Sequence, residues 1–174
     1  MPTSLDNHRE NIRRLVEKYK IKTVLELGLG KGIATVEFLK CGVEVTTIDI
    51  KRSVDTEKYI KTMLPDEKWT FILGDVKDVL PEIGKKYDLV YMDIAYYDKL
   101  EYGSKKAFEY GKECWRRDIE ICWKLAEKVL VVNDYINDVQ KRTAPSVAFN
   151  EFACRLNKPF TVYPTRGGMA VLCK

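Results

Sequence analysis

Acidic residues recur at the ends of short apolar runs. Glu26 sits in Val24-Leu25-Glu26-Leu27, Asp49 closes Thr46-Thr47-Ile48-Asp49, Asp75 follows Leu73-Gly74, and Asp93 closes Val90-Tyr91-Met92-Asp93. The first run opens into Gly28-Leu29-Gly30-Lys31-Gly32, with three alternate glycines. Glycine permits a sharp turn and lets a ligand approach the main chain closely. A helix beginning there presents free backbone N–H groups. The combination points to a nucleotide-like cofactor. Dinucleotide sites use G-x-G-x-x-G, with a pyrophosphate at the helix N-terminus. Here the spacing is G-x-G-x-G, and Glu26, two residues before the first glycine, would be ill placed beside phosphates. It suits a ligand carrying an ammonium or sulfonium charge. Asp49 can accept both hydroxyls of a ribose, a role it could play in either class of site. Asp75 can accept a hydrogen bond from the exocyclic amine of adenine.

Other chemistry has little material. The single histidine, His8, lies near the N-terminus, so a Ser-His-Asp triad, a Cys-His pair or a His-rich metal site is not expected. The five cysteines form no CxxC pair and are odd in number, which predicts reduced, mostly buried thiols in a cytoplasmic protein. Net charge is +4, too small to mark a nucleic-acid binder. The longest run without a charge is eight residues, Thr143 to Asn150. A membrane span needs about 20 mostly apolar residues, and no basic-then-apolar leader opens the chain.

The elements that would hold these residues alternate between strand and helix. An amphipathic helix is predicted to Tyr19, followed by strands over Lys22–Leu27, Val43–Ile48, Trp69–Leu73, Tyr87–Met92 and Val129–Val132. Helices are predicted over Gly32–Lys40, from Ser53 to Met63, to about Leu80, from Lys105 to about Glu127, and over Val147–Leu156. Phe160–Tyr163 and Met169–Cys173 flank Arg166-Gly167-Gly168 as a terminal hairpin. The expected fold is α/β and Rossmann-like: a seven-stranded, mostly parallel sheet with a C-terminal antiparallel hairpin and helices on both faces. At 174 residues it is one domain, with residues 1–20 as an N-terminal helix and 21–174 as the core. In open parallel sheets ligands bind at the carboxyl ends of the strands, where the acids fall.

Together the glycine motif, the acids after strands two to four and the terminal hairpin resemble the class I S-adenosylmethionine-dependent methyltransferase family. The resemblance runs from about Lys22 to Lys174 and is closest in outline to compact small-molecule O-methyltransferases. It implies S-adenosylmethionine as cofactor, with Gly28, Gly30 and Gly32 around the methionine part and Glu26 near the amino group. It further implies Asp49 on the ribose, Ile50 packed on the adenine, Asp75 at the adenine amine with Val76 beside it, and Asp93 facing the same crevice. Methyl transfer from a sulfonium is an in-line displacement that needs positioning and exclusion of water, and a base only when the acceptor must lose a proton.

Asp93-Ile94-Ala95-Tyr96 lacks the Asn/Asp-Pro-Pro-aromatic motif of enzymes that methylate base amino groups. The catechol and caffeoyl-type O-methyltransferases bind a divalent metal through an Asp after strand four and an Asp-Asn pair after strand five. Asp93, Asn133 and Asp134 stand at those places, in the order Asn-Asp, and would suit Mg²⁺. Tyr96 replaces the lysine expected after the first Asp. Tyr96, Tyr97, Tyr102, Phe108 and Tyr110 lie between strand and helix, where they could cover an acceptor. The expected activity is methyl transfer to a small molecule, at oxygen, with Asp93 and Tyr96 as the catalytic candidates. The alternatives are an RNA or protein methyltransferase, using Lys112, Arg116, Arg117, Lys141 and Arg142 as a basic rim, and a cofactor-binding protein without catalysis. An exposed sheet edge and the apolar face of the N-terminal helix offer surfaces for a homodimer.

Overall fold

Alternating apolar runs and amphipathic stretches give seven strands and six helices among the described residues of the computed structural model, 4–64, 68–96, 104–136, 143–163 and 168–174. In chain order they are α1 (Ser4–Tyr19), β1 (Thr23–Leu27), α2 (Ile33–Lys40), β2 (Glu44–Asp49), α3 (Val54–Met63), β3 (Trp69–Leu73) and α4 (Val76–Val79) with a 3-10 turn at Leu80–Glu82. Then come β4 (Tyr87–Met92), α5 (Lys105–Leu125), β5 (Ala126–Asn133), α6 (Ala144–Leu156), β6 (Thr161–Tyr163) and β7 (Met169–Cys173). The sheet order is β3-β2-β1-β4-β5-β7-β6. β1 to β5 are mutually parallel, and β7 runs antiparallel to both β5 and β6. The strand order reverses between β1 and β4, which opens a crevice at their carboxyl ends.

Two boundaries differ from the sequence reading by more than a residue. The long helix stops at Leu125, and Ala126, expected on its apolar face, is already the first residue of β5. Pairing with β4 on one side draws the strand back to Ala126, opposite Tyr87. α6 begins at Ala144 rather than Val147, because the Thr143 hydroxyl accepts the Ser146 N–H and Pro145 fits a first helical turn. The hairpin residues Arg166 and Gly167 lie outside the described residues.

The central strands are buried on both faces, so their alternation sorts residues between two cores. Leu89, Tyr91, Val129 and Val131 join Ile12, Leu15, Phe38, Leu39 and Ile60 beneath α1, α2 and α3. Val90, Met92, Leu130 and Val132 join Trp115, Ile119, Phe149 and Phe152 beneath α5 and α6. Each fully buried Leu, Val or Phe side chain contributes roughly 1.5–3 kcal/mol.

α1 is fastened to α2 by Arg13, whose guanidinium donates to Glu37 Oε2 at 3.0 and 2.8 Å. Ile12 and Leu15 are fully buried in the same chain, so the apolar face considered above as a dimer surface is already covered. The helix runs antiparallel to the parallel strands. At its end, Tyr19 accepts a hydrogen bond from Cys173 Sγ, and Cys173 pairs with Val129 early in β5. Near its start, His8 Nε2 lies 3.2 Å from the hydroxyl of Tyr91, one residue before the end of β4. The first turns of α1 therefore reach the carboxyl ends of the strands.

Candidate active site

Strand register sets the site in rows. Thr47, Glu26 and Tyr91 lie side by side across β2, β1 and β4. Alternation puts them on the α1–α3 face. In the next row on that face come Asp93, just past the end of β4, and Asn133, the last residue of β5, because Met92 is paired with Val132.

The glycine turn is held from three sides. Gly28 N–H donates to the Ile48 carbonyl at 2.8 Å, and Asp93 N–H donates to the Leu27 carbonyl at 2.9 Å. Asp49, the last residue of β2, accepts the Leu29 N–H at 2.8 Å and the Lys51 N–H at 2.9 Å. Gly28 has φ +92°, and a Cβ there would fall 2.1 Å from the Asp93 carbonyl oxygen. Gly30 has φ +49°, and a Cβ there would meet nothing within 4 Å. The first glycine lets two strand ends meet, and the second faces open space above the loop.

Glu26 is 1% exposed. The hydroxyls of Thr35 and Thr47 donate to its Oε2 at 2.6 and 2.7 Å, and Trp69 Nε1 donates to Thr47 at 3.1 Å. Burial dominates these contacts and pushes the carboxyl up to about 8, with the Asp93 charge adding to the rise. Glu26 is therefore held neutral at pH 7. Because its folded value is raised, the protein loses stability as pH climbs from the ordinary glutamate value toward about 8. A shift of this size is worth on the order of several kcal/mol. Glu26→Gln keeps the shape and removes this penalty. Its melting temperature is expected to exceed that of the parent at pH 8 and to converge with it near pH 5; a melting curve series over that range checks this.

Asp93 is reachable by solvent, yet protein closes around it on most sides. That enclosure, with the Asp134 charge, pushes its carboxyl up to about 6, while the Asn133 hydrogen bond works the opposite way. Asn133 Nδ2 donates to Asp93 Oδ1 at 3.1 Å, and Asn133 Oδ1 is buried without a hydrogen-bond partner. Asp134 is exposed, with φ 55°, and its carbonyl accepts the Thr143 hydroxyl at 3.1 Å. No group of three or more His, Cys, Asp or Glu side chains gathers as a cation cage among the described residues.

The residues expected around an adenine are partly assembled. Ile50 is 62% exposed beside Asp49, and Val76 is buried. Asp75 caps α4 by accepting the Lys77 N–H at 3.0 Å, and Lys77 Nζ lies 3.2 Å from it.

Tyr96 is engaged elsewhere. Its hydroxyl donates to Asp118, a fully buried residue of α5 that also pairs with Arg117 at 2.6 Å. Its ring packs edge-on against Trp115. Burial and the Asp118 charge hold the phenol far above its ordinary value. Its geometry is that of an anchor for the segment leaving β4. Tyr97 and Tyr102 lie outside the described residues, Phe108 is half-buried, and Tyr110 is exposed.

Sequence reasoning missed His8 and Tyr91. Tyr91 could have been found from strand alternation, since it must share a face with Asp93. His8 could not, because its place depends on the direction in which α1 folds back. The imidazole is half-buried, and desolvation lowers its basicity although Asp134 raises it.

The sheet order and the placement of the glycine turn define the class I methyltransferase fold. Solved structures agree. The magnesium protoporphyrin IX methyltransferase of Synechocystis PCC 6803 with bound S-adenosylmethionine superposes with a TM-score of 0.67 at 16% identity, covering 97% of this chain and 80% of that one. An O-methyltransferase of Bacillus cereus in complex with S-adenosylhomocysteine gives 0.64 at 14% identity, covering 96% and 80%. The O-methyltransferase TomG of Streptomyces achromogenes, involved in tomaymycin synthesis, gives 0.64 at 16%, covering 95% and 78%. No protein-family model and no curated protein matches the chain.

Proposed function

We propose that this protein is an S-adenosylmethionine-dependent methyltransferase acting on a small molecule, at oxygen. The observation that carries the reading is Glu26, a buried acid beneath the glycine turn. A pyrophosphate would add negative charge above it, whereas an ammonium would turn a costly neutral acid into an ion pair. Glu26 would meet the amino group, Asp49 the ribose hydroxyls, and Ile50 the adenine face, with Asp75 at its edge. When bound, the cofactor supplies a methyl group already activated on a sulfonium. The chain then has to hold the acceptor in line, exclude water and take up a proton. Asp93, with a carboxyl near 6, is suited to accept that proton at neutral pH.

One observation favours a small acceptor. Lys112, Arg116 and Arg117, the described part of the basic rim, are each paired with an acid of the same chain: Glu109, Glu113 with Glu151, and Asp118. No helix among the described residues is long and apolar enough to cross a membrane. We place the protein in the cytoplasm on its five free cysteines.

The side chains as they stand do not fit Mg²⁺: a cation would need oxygen ligands, but Asn133 turns its amide N–H2, not its oxygen, toward Asp93. A chelator is accordingly expected to leave methyl transfer unchanged, read as the rate with and without it.

A thermal-shift series with S-adenosylmethionine, S-adenosylhomocysteine and NAD tests the main reading. Stabilisation by the first two is expected, and stabilisation by NAD alone would overturn it. Asp49→Ala removes both the ribose contact and the Leu29 tether. It is expected to weaken S-adenosylhomocysteine binding at least roughly tenfold by calorimetry, the scale of one charge-assisted hydrogen bond.

A further inference from the structure

The acceptor side of the crevice is built from three elements. α1 brings His8, β4 brings Tyr91 and is followed by Asp93, and β5 ends in Asn133 and is followed by Asp134. Tyr91 is fully buried, and His8 Nε2 at 3.2 Å is the one hydrogen-bond partner of its hydroxyl among the described residues. The phenol and the imidazole share this one hydrogen bond, with the donor set by the imidazole tautomer. Asn133 donates its amide N–H to Asp93 and leaves Oδ1 buried without a donor. A buried oxygen without a donor costs free energy until something supplies one. The Asp134 carboxylate has no hydrogen bond or ion pair among the described residues, and its charge acts on Asp93, Tyr91 and His8. No lysine or arginine among those residues offsets the charge on Asp93.

From this arrangement we infer that His8, Asn133 and Asp134 form a subsite for a second polar group of the acceptor, and that this group is a hydrogen-bond donor, neutral or cationic, rather than an anion. The inference rests on the methyltransferase reading and deepens it by naming the acceptor class. Asn133 Oδ1 and Asp134 accept from the group. An anionic substituent would face Asp93 and Asp134, would find the cation beside His8, Arg9, already lying against Glu37, and would leave Asn133 Oδ1 unpaired. In the transfer itself the acceptor's O–H bond breaks as its oxygen bonds to the methyl carbon. The proton passes to Asp93, and the methyl–sulfur electron pair stays on sulfur.

The test uses the full chain and matched phenols and catechols that differ in one substituent, aminoethyl against carboxymethyl. Calorimetry with S-adenosylhomocysteine comes first, and absence of binding there sinks the cofactor reading on which the inference stands. With binding established, kcat/KM from S-adenosylmethionine is expected to be at least tenfold higher for the aminoethyl members, with the difference in KM. Equal values, a preference for the carboxymethyl members, or transfer to neither set would overturn the inference and leave the cofactor reading intact. Asp134→Asn is expected to pull the ratio toward unity with S-adenosylhomocysteine affinity unchanged, and a ratio that stays put counts against the subsite. The ratio in the unmodified protein decides the matter even if that variant folds poorly.

Discussion

Gly28→Ala is expected to destabilise the protein by about 3 kcal/mol or more, while Gly30→Ala costs only about 1 kcal/mol. Both residues have positive φ. At position 28 the new Cβ would also strike the Asp93 carbonyl oxygen, at 2.1 Å. Neither partner can step aside, because Gly28 is bonded to Ile48 and Asp93 to Leu27. Relief would require β1 and β4 to separate at the switch point. For a chain of this length the loss is a fall of roughly 6–12 °C in melting temperature, read by calorimetry or circular dichroism. At position 30 the methyl would enter open space. That variant is expected to melt within a few degrees of the parent yet bind S-adenosylhomocysteine poorly, because the methyl stands where the ligand approaches. Equal melting of the two variants would show that the close approach at Gly28 is not what holds the strand ends together.

Asp93→Asn is expected to lower kcat by roughly 10²–10⁴-fold, the range of one general base. In the parent, kcat/KM should fall as pH drops below about 6, since the raised carboxyl must be ionised to accept a proton. The asparagine variant should lose that limb of the profile. Its amide oxygen can still accept from Asn133, so the loop geometry should survive, and S-adenosylhomocysteine affinity should change by less than about threefold. Stopped-time methylation assays over pH 5 to 9, with calorimetry at pH 7, separate the two effects. An unaltered pH limb in the variant would remove Asp93 from proton transfer.

Much of the architecture was legible because it is local. Trp69–Leu73, Tyr87–Met92 and Met169–Cys173 were read with the bounds the structure has, since β-branched and aromatic runs between turns leave few other conformations. Ser53 was read as a cap, and its hydroxyl accepts the Thr56 N–H. The Leu125–Ala126 junction was not legible, because no turn residue marks it. There the helix gives way to a strand that is stabilised by partners distant in sequence.

The candidate site divides along the same line. The run Glu26-Leu27-Gly28-Leu29-Gly30 and the acids Asp49, Asp75 and Asp93 were placed by chain order alone, because a parallel sheet must bring its strand ends to one edge. Their chemistry was not. That the Tyr96 hydroxyl is bonded to the buried Asp118, 22 residues away, cannot be read along the chain. The lone histidine passed for a remote N-terminal residue until α1 folded back and set it against Tyr91, 83 positions on. Glu26 was recognised as an acid, but its neutrality at pH 7 follows from enclosure by Thr35, Thr47 and the surrounding core. Periodicity and turn residues act between near neighbours, so they can be read along the chain. Desolvation, hydrogen-bond orientation and the approach of remote helices are sums over everything packed nearby, and they take values only once the chain has closed around them.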